Sequence, residues 1–182
     1  MVLAVVVVVV NYFQKKKPML YITTTIKVKN LTEMKESEVN HIFLGYKNQL
    51  IKKLGREPLY GDLIEKVGKK LIGARFKGVY AQDKFPANKV GYYIVNTDTS
   101  NKSGTHWVAI INTKTNVYIH DSFGRKSKTI LRYVVRNSKA LQKKIIEADP
   151  DLEQGNSNVC GCIALAFLLT AKQVGIQQSL KI

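Results

Sequence analysis

Cys160 stands where a polar loop, Asp151-Leu152-Glu153-Gln154-Gly155-Asn156-Ser157-Asn158-Val159, gives way to the apolar run Ile163-Ala164-Leu165-Ala166-Phe167-Leu168-Leu169-Thr170-Ala171. A thiol attacks a carbonyl as its thiolate, and a free cysteine with a pKa of about 8.5 is only slightly ionised at neutral pH. The apolar run suits a buried helix and is too short to cross a bilayer. Asn158 is placed to cap that helix. Cys160 would then lie in the first turn, where unbonded N–H groups and the positive end of the helix dipole favour an anion. Such a site, with a histidine partner, brings a thiol to roughly 3.5–7.5. Gln154 precedes Cys160 in the same loop and can donate to an oxyanion, with the backbone N–H of Cys160 as second donor. Gly161 lets the chain approach closely. Cys162 reads as a small hydrophobe of the helix interior.

A thiol nucleophile needs a base, and the base needs an orienting group. Two β-rich runs, His106 to Ile111 and Val117 to Asp121, flank Asn112-Thr113-Lys114-Thr115-Asn116, whose residues suit a turn. A hairpin folded about Thr113-Lys114 sets His106 opposite Asp121, within the roughly 5 Å that separates cross-strand Cβ atoms. A carboxylate there fixes the imidazole tautomer and stabilises the imidazolium. The competing role for Asp121 is an ion pair with Arg125. His120 alternates with Asp121 and should face the other side of the sheet. Trp107, beside the base, is expected to shield it and to stack on the imidazolium. A zinc site built from Cys160, Cys162, His106 and His120 would rest on a Cys-x-Cys spacing that is unusual for zinc, so no metal is expected.

His106-Trp107, Asp121-Ser122-Phe123-Gly124 and the Gln154 to Cys160-Gly161 loop resemble the adenovirus maturation protease family, adenain. Its relatives include SUMO proteases and proteases of virophages and polinton-type viruses. Phe76-Lys77-Gly78-Val79-Tyr80-Ala81-Gln82-Asp83-Lys84-Phe85-Pro86 and Tyr93-Ile94-Val95-Asn96-Thr97 extend the similarity, which covers about residues 60–172. Adenain has Glu where Asp121 stands, whereas SUMO proteases have Asp, and the spacing of Gln154 from Cys160 also resembles the SUMO proteases. The resemblance implies an α+β, papain-like thiol protease with a mainly antiparallel central sheet packed against the helix of the nucleophile. It implies Cys160, His106, Asp121 and Gln154 as catalytic residues, with Gly161 and Trp107 in support. Substrates would be viral capsid and core precursors cut at glycine-containing sites, in the virion and the infected host cell. The chemistry needs no cofactor, and DNA and an activating peptide are the stimulators the family suggests. A protease for ubiquitin-like modifiers and a non-catalytic, basic DNA-binding virion protein are the alternatives.

Around these residues, the 182-residue chain holds a core of ordinary size. Its 29 Lys and Arg against 13 Asp and Glu give a net charge of +16, which predicts attraction to polyanions, nucleic acid above all. The scarcity of cysteine fits a reducing compartment. Residues 60–182 are expected to form the protease core, preceded by an extension over 1–59. That extension begins with an apolar run, Val2-Leu3-Ala4-Val5-Val6-Val7-Val8-Val9-Val10, whose valines favour a strand, with a membrane-surface anchor helped by Lys15, Lys16 and Lys17 or a dispensable leader as alternatives; it lacks the flanks of a secretory signal and the length of a membrane span. A strand is expected over 19–29 and amphipathic helices over 36–54 and 61–72. Only 22 residues follow Cys160, fewer than in adenain, so the extension is expected to stand in for the missing lobe. Residues 126–147 read as one helix, on which Lys128, Arg132, Arg136, Lys139 and Lys143 fall within an arc of about 80° at 100° per residue. Opposite them lie Leu131, Val134, Leu141 and Ile145, so the basic stripe is the candidate DNA-binding surface.

Overall fold

The computed structural model describes residues 34–148 and 157–182. The valine run, the strand expected over 19–29 and Gln154 lie outside the described residues. The class is α+β: a five-stranded mixed sheet with helices on both faces. Its strands are β1 (Phe76–Ala81), β2 (Gly91–Asn96), β3 (Trp107–Asn112), β4 (Asn116–His120) and β5 (Lys144–Glu147), in that spatial order.

The central pairings β2–β3 and β3–β4 are antiparallel, and the outer pairings β1–β2 and β4–β5 are parallel. The sheet is therefore evenly mixed, which corrects the expectation of a mainly antiparallel one. The connections explain the difference. Only a tight turn joins β3 to β4, whereas helical segments intervene between β4 and β5, and a crossover of that kind returns the chain parallel.

Alternation along the strands sends side chains to two separate cores. On one face Tyr92, Ile94, Ala109, Ile111 and Tyr118 meet α1 (Glu36–Leu54), α2 (Gly61–Ile72), α5 (Cys160–Val174) and α6 (Ile176–Ser179). On the other, Tyr93, Val95, Val108, Ile110, Val117 and Ile119 are covered by Phe85, Leu131 and Val134. Both faces of β2 are thus buried, as its unbroken apolar run requires. α5 is buried almost all round, from Cys160 through Ala171. α1 lies against it, contributes Val39, Ile42, Phe43 and Leu50 to the same core, and ties Tyr46 Oη to Gln173 Oε1 at 2.6 Å. The described part of the segment before residue 60 therefore shares one core with α5. Among the described residues, no helix is long and apolar enough to cross a membrane.

The single helix expected over 126–147 is three elements. α3 (Ser127–Ile130) and α4 (Arg132–Ala140) are followed by a reversal in which Gln142 takes a φ of 57°, and β5 completes the sheet. The β-branched pair Ile145-Ile146 prefers a strand, and pairing with β4 satisfies its backbone. The reversal turns Lys143 inward. Its Nζ donates to Asn112 Oδ1 and to the Thr113 carbonyl, each at 2.7 Å, while Asn112 Nδ2 donates to the carbonyls of Ala87 and Lys89. Burial lowers the Lys143 pKa. Lys143 is thus a brace beneath the β3–β4 turn, and it leaves the basic stripe.

Lys143→Met removes the donor and strands the buried Asn112 carbonyl, so it should destabilise the fold by about 1–3 kcal/mol in denaturant titration. A neutral substitution would contradict the bracing role.

Candidate active site

His106 lies immediately before β3, and its position is fixed from the backbone outward. Its carbonyl accepts from Thr97 N–H at 3.0 Å, continuing the β2–β3 ladder beyond the Asn96–Trp107 pair. Asn96 Oδ1 accepts from Asp98 N–H at 2.9 Å and Thr105 N–H at 3.3 Å, pinning the loop that delivers the histidine. Gly104 has a φ of 87°, and a β-carbon there would stand 2.6 Å from Asn96 Nδ2, so both the conformation and the space require glycine.

Asp121 follows β4. The hairpin register differs from the expected one. Asn112 pairs with Val117, which centres the turn on Lys114-Thr115 rather than Thr113-Lys114. Thr113 causes the shift: its N–H donates to the Asn116 carbonyl at 2.8 Å and its Oγ1 accepts from Asn116 N–H at 2.9 Å. The ladder ends at the Ala109–His120 pair, and the turn that follows brings both Asp121 and the Phe123 ring to His106. Because the shift is two residues, the face is preserved. His106 Nε2 lies 2.5 Å from Asp121 Oδ1, with both side chains 4% exposed. Asp121 also takes the competing role foreseen for it, since Arg125 donates to Oδ2 from its backbone N–H and its Nε, each at 3.0 Å.

Cys160 opens α5, with Val159 rather than Asn158 at the N-cap and no side-chain cap. Its own N–H and those of Gly161 and Cys162 therefore lack partners within the helix. Gly161 allows the close packing expected of it, because a β-carbon there would lie 3.0 Å from Ile64 and 3.2 Å from Leu59. Leu59 also accepts the Trp107 indole N–H on its carbonyl at 2.9 Å. One residue thus touches both the cysteine helix and the strand behind the histidine. His106 and the backbone N–H groups of Trp107 and Gly161 are the groups that act on the thiol against its burial.

The electrostatics follow from these contacts. Burial alone would raise the Cys160 pKa, but the hydrogen bond to His106, the two N–H donors and the imidazolium charge outweigh it and the net shift is downward. Burial alone would lower His106, and the bonds and charges of Asp121 and Cys160 reverse that, so its pKa rises. Burial would raise Asp121, yet His106 and Arg125 hold it well below the usual carboxylate range. Cys162 has only burial and the neighbouring sulfur acting on it, and is pushed up to about 12. Both shifts run in the direction that favours a thiolate–imidazolium pair, and the net shifts of the two cysteines are opposite.

The remaining candidates separate. His120 sits on the opposite face of the sheet from His106, stacked on Phe167 at 4.4 Å with Phe43 edge-on at 6.0 Å. Trp107 also points to that face, by strand alternation, so the ring against the imidazole is Phe123, at 4.8 Å and 35°, and not Trp107. Phe123 stood in the motif without a role of its own, and Arg125 only as a competing partner of Asp121. Among the described residues, no cluster of three or more His, Cys, Asp or Glu is gathered to hold a metal ion. No protein-family model matches this sequence, and no curated protein matches it significantly.

A thiolate titration by ultraviolet absorbance tests the pair. The wild-type inflection for Cys160 should fall below the ordinary thiol value of about 8.5. In His106→Ala only burial and the two N–H groups remain, and the inflection should rise by at least about one unit. Equal inflections in the two proteins would contradict the pairing.

Proposed function

We propose that this chain is an adenain-like viral cysteine endopeptidase with the split, papain-like arrangement of nucleophile on a helix and base on a sheet. The observation that carries this reading is the buried pair of His106 and Asp121, with Nε2 2.5 Å from Oδ1, beside a Cys160 thiol whose pKa His106 lowers. With Nε2 engaged by the carboxylate, Nδ1 is left for the sulfur. The thiolate attacks the peptide carbonyl, and the backbone N–H of Cys160, at the start of α5, is the donor for the developing oxyanion, such a donor being worth roughly 10²–10³ in rate. Gln154 is the further donor that the sequence offers. His106 then protonates the leaving amine, and in the second step takes a proton from water as it releases the acyl-enzyme.

The substrate class comes from the motif resemblance: viral capsid and core precursors cut at glycine-containing sites, within the virion and the reducing interior of the infected cell. The net charge of +16 supports association with packaged DNA. Lys128, Arg132, Arg136 and Lys139 are exposed along α3 and α4, and Arg136 lies 4.9 Å over the ring of Tyr133. Lys143 is excluded from that surface by its buried bonds.

Full-length protein incubated with its capsid precursor should cleave it, and Cys160→Ala should reduce the rate at least about 10³-fold. Cleavage of a ubiquitin-like modifier precursor in place of the capsid protein would move the activity to the modifier proteases. Precursor cleavage by Cys160→Ala at the wild-type rate would sink the protease reading.

DNA affinity should fall with salt. Replacing Lys128, Arg132, Arg136 and Lys139 by Gln should flatten that dependence by about 0.9 in log–log slope for each phosphate no longer neutralised. An unchanged slope would remove the stripe from the DNA surface.

A further inference from the structure

Asp121-Ser122-Phe123-Gly124-Arg125 folds back on itself. Gly124 takes a φ of 64° and donates its N–H to the Asp121 carbonyl at 2.8 Å, closing a turn that glycine enters without strain. The turn aims Arg125 at the carboxylate of Asp121. Three donors of this one residue then reach it: the backbone N–H and Nε to Oδ2 at 3.0 Å each, and Nη2 to Oδ1 at 3.4 Å. The same guanidinium lies 4.9 Å over the Phe123 ring, whose other neighbour is the imidazole of His106. Lys126 and Glu147, which line a small cavity together with Asp121 and Arg125, pair with each other at 3.5 Å, and Glu147 also accepts from Ser127 N–H.

Carboxylates turn about their terminal torsion with little hindrance. A single bond from His106 would leave Asp121 free to offer either oxygen or to swing away. Arg125 removes that freedom, because its planar fork engages both oxygens at once. We propose that Arg125 is a positioning residue of this site, acting through Asp121 to keep one carboxylate oxygen on His106 Nε2 and so keep the imidazole turned toward Cys160. The inference rests on the reading of Cys160 and His106 as an activated thiol pair. It assigns Arg125 no contact with substrate. Its 40% exposed side chain makes it replaceable without opening the core.

The test follows the rate of Cys160 alkylation by iodoacetamide between pH 5 and 9, resolved by mass spectrometry, in the full chain. Arg125→Met should shift the inflection upward and slow alkylation at pH 6 about tenfold, equivalent to about one pH unit. Arg125→Lys, which keeps the charge but not the fork, should recover less than half of that loss. In an Asp121→Asn background, adding Arg125→Met should change the rate less than twofold, as expected when one residue acts only through the other. An unshifted profile in Arg125→Met, full rescue by lysine, or an undiminished tenfold loss in the Asp121→Asn background would each overturn the proposal. A wild-type inflection at the ordinary thiol value would overturn the thiol-pair reading and this inference with it. A displaced wild-type inflection that Arg125→Met leaves unmoved would overturn the inference alone.

Discussion

The separation between Cys160 and His106 is set by how α5 packs on the sheet, and the rest of the site depends on that packing. The sulfur begins a helix and the imidazole precedes a strand, so nothing local in the chain brings them together. Leu59 packs against Gly161 and accepts the indole N–H of Trp107 on its carbonyl. α1 presses on α5 from behind through Val39, Ile42, Phe43 and Leu50. Close-packed interiors transmit small displacements, so the helix that precedes the motif-bearing region is mechanically part of the site.

Electrostatics and burial oppose each other at every member of the relay. A buried carboxylate is costly unless its oxygens are satisfied. Asp121 meets that condition with His106 on one side and Arg125 on the other. Its carboxylate raises the pKa of His106, and His106 lowers that of Cys160. Cys162, on the same helix, shows the outcome where such partners are missing: burial pushes its thiol up to about 12.

Much of this arrangement was legible in the sequence. The order of His106, Asp121 and Cys160, the helices over 36–54 and 61–72, and the opposite facing of His120 follow from spacing and alternation, which are local properties. The hairpin register was missed by two residues because the bonds of Thr113 to Asn116 tighten the turn. The even shift kept His106 and Asp121 on one face. The 126–147 helix failed for a non-local reason. Its basic and apolar residues fit a helical wheel, but β4 offers Ile145 and Ile146 an edge to pair with, and Asn112 with the Thr113 carbonyl offers Lys143 a buried site. Periodicity along one segment carries no information about a partner strand elsewhere. The role of Phe123 likewise appears only once the register is known.

The central claim is that Cys160, and not Cys162, is an activated thiol. The most direct measurement is the relative rate at which iodoacetamide modifies the two cysteines of the intact chain at pH 6, quantified on separate peptides. The account predicts that Cys160 reacts at least about a hundredfold faster, because reactivity follows the thiolate fraction. Comparable rates at the two positions, or preferential modification of Cys162, would contradict it.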